Sequence, residues 1–348
     1  MNEHAFSWLP FLALSVGVTV LALVVAVLLH ELGHVVAGSA SGLRVARVLL
    51  GPLEIRDHGR PRVRLVRSLQ AGVVLVPADR AAALGPLRWG LIASTAAGPL
   101  VGIASGALLI ALAGGLRLAD PFSLTQVLGQ MSLILGVFNL LPIRTGEQLA
   151  DGRRIFSLLV RNRECAHILA ATLMLGEALS GRRPREWDPS LLAVMERSPT
   201  DVFARLCLYE AAIDRGEIVV AGQHLDAAVA LREEQWTASD AILFTEAAYY
   251  AARHRGDSRA ARALLGLADG ADVADYMRDR AEAAVLCAEG RGLEARQRAV
   301  AGLTKLKRVR RRDEDPCREQ LEELASGVGT LVRAGPGARS LAGAPALD

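Results

Sequence analysis

The sequence predicts a mainly α-helical protein. Its polytopic membrane core would hold three transmembrane helices, or four if residues 155–180 also cross, together with a small β element; a cytoplasmic helical-repeat region would follow. Three observations predict this. Residues 1–145 hold long uncharged apolar runs, arginine is concentrated between those runs, and the chain beyond about residue 180 turns to Ala, Leu, Arg and Glu with recurring short motifs. The expected division is a membrane-embedded domain at 1–180, a cytoplasmic helical-repeat domain at 181–334 and a disordered tail at 335–348, small in residue size and Pro/Gly-bearing.

The first run, residues 8–29, has no charged residue. At 1.5 Å per residue it reaches about 33 Å, enough to cross a bilayer. A signal peptide would need a basic start and a shorter apolar stretch, and neither is present. Residues 89–116 and 121–143 form the second and third runs, with only a short turn around Arg117 and Asp120 between them, so they pair as a helical hairpin. The apolar stretch at 166–176 is too short for a span and reads better as an amphipathic helix.

Charge sets the orientation. The segment from 44 to 88 is dense in arginine against Glu54, Asp57 and Asp79; Arg144, Arg153, Arg154, Arg161 and Arg163 follow the third run; the N-terminal tail has no Lys or Arg. The positive-inside rule places the N-terminus outside and the C-terminal region in the cytoplasm, as an integral protein of a bacterial cytoplasmic membrane. Between the first two runs, Val45, Val48, Leu50, Val63, Leu65 and 73–76, broken by Gly51-Pro52 and Gly59-Arg60-Pro61, suggest a small sheet at the membrane surface; the alternative is an irregular basic loop.

The first run ends in His30-Glu31-Leu32-Gly33-His34. Two histidines four apart share a helix face and can hold one metal ion, while Glu31 beside them can take a proton from a metal-bound water. Such a cluster at the end of an apolar helix is costly in lipid, which points to function; the plain reading is a set of interfacial polar residues that ends the span. A catalytic zinc site usually needs a third protein ligand and an open position. Asp151, followed by Gly152, is the attractive choice, because two further crossings return the chain to the face of His34. Asp120 would fall on the wrong side, and His4, His58, His167, His224 and His254 are poorly placed.

With these residues the sequence resembles the site-2 protease family of intramembrane zinc metalloproteases. The resemblance rests on the His30-Glu31-x-x-His34 helix, the Ala97-Gly98-Pro99-Leu100 step, and Phe138-Asn139-Leu140-Leu141-Pro142 followed by Asp151-Gly152, and covers roughly residues 10–160. It implies that His30, His34 and Asp151 bind zinc, that Glu31 is the general base, and that Asn139 lies near the site to bond the substrate backbone or oxyanion. A helix-packing hydrogen bond or a cap is the other reading of Asn139. Two features depart from the family. Gly102 stands where many members carry Asn, and the stretch 142–151 lacks the usual Pro-rich spacing, which leaves Glu147 as a rival third ligand.

On this reading zinc lowers the pKa of its water toward about 7 and polarises the scissile carbonyl. Glu31 moves the water proton to the leaving amine, and the substrate helix unwinds first because its carbonyls are bonded internally. The expected partner is a membrane-anchored protein substrate, with regulated intramembrane proteolysis implied by the family. The alternatives are an inactive member acting as a membrane scaffold, and a di-iron oxygenase, which would need more histidine boxes than this chain offers.

In the C-terminal half, Tyr209-Glu-Ala-Ala before Gly216, Tyr250-Ala-Ala before Gly256 and Ala283-Ala284 before Gly290 recur, each ahead of an Ala/Leu-rich helix. They resemble tetratricopeptide-type repeats and suggest a surface for a cytoplasmic protein partner; a plain helical bundle is the alternative. The basic run 305–312 reads as a solvated face or a contact with membrane lipid. A net charge of +3 gives no reason to expect nucleic acid, and four widely spaced cysteines read as buried reduced thiols rather than a disulfide framework.

Overall fold

The computed structural model describes residues 9–57, 61–65, 71–79, 83–115, 123–145, 148–198, 200–232, 240–268, 273–307 and 314–327. The chain forms two compact units, Met1–Leu173 and Met174–Asp348. Glu147 and the tail from Gly335 lie outside the described residues.

In the first unit, helix α1 (Leu9–Ala40) carries the apolar run and the His30–His34 segment in one piece. No proline interrupts it, so it runs on through the polar cluster for about three more turns. It ends where Ser41 N donates to Ala37 O and Gly42, at φ 78°, turns the chain. A four-stranded antiparallel sheet follows, made of β1 (Leu43–Leu50), β2 (Leu53–Asp57), β3 (Pro61–Leu65) and β4 (Ala71–Pro77) in the order β3-β2-β1-β4. The segment is therefore a sheet and not an irregular loop. Its register pairs Val48 with Ile55 and Val73, Ile55 with Val63, and Leu53 with Leu50 and Leu65, so these apolar residues share one face. Val63 and Leu65 on that face are 64% and 82% exposed.

Helices α2 (Leu84–Leu112) and α3 (Leu124–Leu140) follow, then a two-stranded hairpin of β5 (Arg144–Thr145) and β6 (Gln148–Leu149), and helix α4 (Asp151–Val160). Among the described residues two helices, Pro10–Ala40 and Leu84–Leu112, are long and apolar enough to cross a membrane. The third, α3, has 17 residues, which gives about 26 Å against a hydrocarbon core of about 30 Å. Over 155–180 the helix breaks at Arg161, at φ 55°, into α4 and α5 (Arg163–Leu179), neither of which has the length and apolarity of a span.

Small residues set how closely α2 and α3 approach. A side chain at Gly106 would stand 2.6 Å from Leu133 N, and one at Gly136 would stand 2.6 Å from Pro99 O. Gly102 belongs to the same contact: a Cβ there would lie 3.0 Å from Ser132 O and 3.3 Å from Gly136 Cα. A side chain here would press tightly on the backbone of α3.

The second unit is built from helices. After a 3₁₀ turn (Pro184–Glu186) come α6 (Pro189–Glu196), α7 (Val202–Asp214), α8 (Ile218–Ala230), α9 (Ala241–Tyr250), a π turn (Ala251–Arg255), α10 (Ser258–Leu267), α11 (Asp275–Ala288), α12 (Gly292–Leu306) and α13 (Asp315–Ser326). Gly216, Gly256 and Gly290, each with φ between 66° and 79°, separate three helix pairs, α7/α8, α9/α10 and α11/α12. Only glycine takes that backbone without strain, which is why the recurring motifs end on it. Asp201 and Asp257 cap α7 and α10 by accepting from Phe203 N and Ala260 N. Inside, Tyr209 Oη donates to Glu246 Oε2 at 2.9 Å, Glu246 pairs with Arg280, and the Arg280 guanidinium lies 4.3 Å from the centre of the Tyr249 ring.

The π turn packs the half-buried His254 against the rings of Tyr249 and Tyr250. Burial, with Arg253, Arg255 and Arg280 nearby, pushes its pKa down to about 4. The unfolded chain binds a proton near pH 6.5 and the folded chain does not until about pH 4, so this residue stabilises the fold at neutral pH and the contribution fades as pH falls across that window. The loss is expected to reach about 3 kcal/mol by pH 4. Thermal unfolding of the full chain at pH 7 and pH 4.5 checks it: wild type should lose more than His254→Gln, and equal losses would contradict the assignment.

Candidate metal centre

Helix α1 sets His30 and His34 one turn apart, with their rings edge to face and their Nε2 atoms 3.1 Å from each other. Asp151 Oδ2 lies 3.2 Å from His30 Nε2 and 3.4 Å from His34 Nε2. Two ring nitrogens and one carboxylate oxygen thus meet at nearly equal spacing. Four ligands arranged tetrahedrally at zinc–ligand distances near 2.05 Å stand about 3.3 Å apart. Donor types and spacing both fit zinc.

The neighbouring elements make this convergence possible. A side chain at Gly33 would stand 2.7 Å from Ala97 O and 2.9 Å from Gly98 Cα, so α1 and α2 touch backbone to backbone. A Cβ on Gly98 would overlap the His34 imidazole, so the Ala97-Gly98-Pro99 step is where α2 makes room for that ring. One helical turn before Gly98, Ser94 bonds His34 twice: His34 Nδ1 donates to Ser94 O at 2.8 Å, and Ser94 Oγ donates to His34 O at 2.9 Å. With its proton on Nδ1, His34 presents the Nε2 lone pair to the centre.

Asp151 arrives from the far side. The β5–β6 hairpin, with Arg144 opposite Leu149, and a bond from Ala150 N to Ile143 O carry the chain back to the end of α3. Gly152 then packs on Leu140 O and Leu141 O so tightly that a Cβ would overlap the first of them. Glycine after Asp151 is a packing requirement.

Glu31 is 9% exposed, and its Oε2 is buried with no hydrogen-bond partner among the described residues. Asn139 Nδ2 donates to Leu135 O at 3.1 Å, a contact within its own helix. Ser94, not singled out in the sequence, is the residue that orients His34; a serine inside an apolar span is the signal that could have found it. Among the described residues, His30, His34 and Asp151 form the group of His, Cys, Asp and Glu side chains able to share a metal ion.

Residues 18–119 match the model of peptidase family M50, the site-2 protease family. The matched segment contains His30, Glu31, His34, Ser94 and Gly98, and Asp151 lies beyond it. Neither the curated proteins nor the solved structures contain a match to this chain.

Proposed function

We propose that this chain is an intramembrane zinc metalloprotease that hydrolyses a peptide bond within or near the transmembrane segment of a membrane-anchored protein. The observation that carries this reading is the convergence of His30 Nε2, His34 Nε2 and Asp151 Oδ2 within 3.4 Å of one another beside the buried carboxylate of Glu31, on a helix long and apolar enough to span a bilayer. The family match over residues 18–119 supports it.

In this reading His30, His34 and Asp151 hold the zinc ion. Zinc supplies Lewis acidity, activating water near neutral pH and polarising a carbonyl. Glu31 accepts the proton of the attacking water and delivers it to the leaving amine nitrogen. Ser94 keeps His34 in the tautomer that binds metal. Strand β4, at the edge of the sheet, offers backbone groups to an unwound substrate segment. The open apolar face of the sheet suits contact with lipid, and the helix pairs of the second unit suit a cytoplasmic protein partner. The N-terminus lies outside and the second unit lies in the cytoplasm.

Co-expression with single-span candidate substrates tests the reading. Wild type should cleave and purify with one zinc per chain, while His30→Ala should do neither. Two irons per chain, or cleavage that survives His30→Ala, would overturn it.

A further inference from the structure

Arg88, in the first turns of α2, is 8% exposed, and its guanidinium lies 4.8 Å from the centre of the Trp89 ring on the same helix. Its Nη1 donates to Leu158 O at 3.1 Å. Leu158 lies in the last turn of α4, where carbonyls have no partner within the helix and where a cation suits the helix dipole. The contact sits among Leu43, Leu87, Leu91, Cys165 and Ile168, and an apolar surround strengthens such a bond.

The opposite end of α4 begins with Asp151. This helix has ten residues, a rod of about 15 Å. Gly152 fixes its first turn against the end of α3, and Arg88 fixes its last turn against α2. The same α2 carries Ser94 and Gly98, which seat His34. One helix therefore references both sides of the metal centre.

We propose that Arg88 is a positioning residue for Asp151, holding α4 at the tilt and depth that bring the carboxylate to the two histidines. This rests on the metal reading above. A merely structural role for Arg88 would change overall stability without a specific effect on the metal.

The test is zinc affinity of the full chain in detergent micelles, by chelator competition, for wild type, Arg88→Met, Arg88→Lys, Asp151→Ala and Asp151→Ala combined with Arg88→Met. Arg88→Met should weaken zinc binding roughly tenfold. Arg88→Lys, which keeps a buried donor, should recover most of it. On the Asp151→Ala background Arg88→Met should add nothing, because the ligand it positions is gone. Unchanged affinity in a folded Arg88→Met chain overturns the proposal, and so does an equal loss on both backgrounds. If Arg88→Met does not fold, Arg88→Lys decides alone: affinity lost as fully as in Asp151→Ala overturns the role of a shared donor. A wild type that binds no zinc overturns the metal reading and this inference with it.

Discussion

Glu31→Gln is expected to abolish cleavage while the zinc stays in place. Glutamine has the same shape, so it fills the same buried space without disturbing His30 or His34 on either side. It carries no charge to accept a proton, and general-base catalysis of this kind contributes about 10²–10⁴-fold in rate. Glu31 is not among the three donors that converge, and its buried Oε2 spends no hydrogen bond on the described residues. A carboxylate kept dry and unengaged beside a metal seat has a ready use in moving the proton of water. Turnover of a purified single-span substrate and zinc content of the same preparation check this together. Activity within tenfold of wild type would remove Glu31 as the base, and loss of zinc would make it a ligand instead.

The sequence announced the centre through residues whose chemistry is costly where they stand. His30, Glu31 and His34 end an apolar run, and Asp151 returns to the same side by counting spans and charges. These are local patterns joined by topology, which one sequence carries. The sheet at 43–77 was legible for a similar reason, since β-branched residues alternate between turn formers. What was not legible depends on distance between backbones. Gly33, Gly98 and Gly152 look alike in sequence, yet at each a particular neighbour sits where a Cβ would be. Gly102 reads in sequence as a missing Asn, and its close packing on Ser132 and Gly136 appears only in the fold. Ser94 and Arg88 could not be connected to His34 and α4, because their partners lie 60 and 70 residues away. Where α1 ends was not legible either: charge marks where lipid contact becomes expensive, while the helix runs on to Ala40 until a turn stops it.

The glycines lead to the second large effect. Gly98→Ala and Gly152→Ala remove no metal ligand, yet each should weaken zinc binding on the order of 100-fold. The added methyl at 98 overlaps the His34 ring. That ring is held on Nδ1 by Ser94 O, so it can yield only by breaking the bond that sets its tautomer. The methyl at 152 meets Leu140 O, a backbone atom that cannot swing aside. The first turn of α4 must lift instead, and Asp151 lifts with it. Overpacking of this kind costs about 1–3 kcal/mol in stability, so both variants should still fold. Gly17→Ala serves as the control, because a Cβ there meets nothing within 4 Å although it lies on the same α1. Zinc affinity by chelator competition separates the cases. If Gly98→Ala and Gly152→Ala bind zinc as tightly as Gly17→Ala, the metal is not held where His34 and Asp151 meet. If only Gly152→Ala loses it, the ion rests on Asp151 and His30, with His34 in a lesser part.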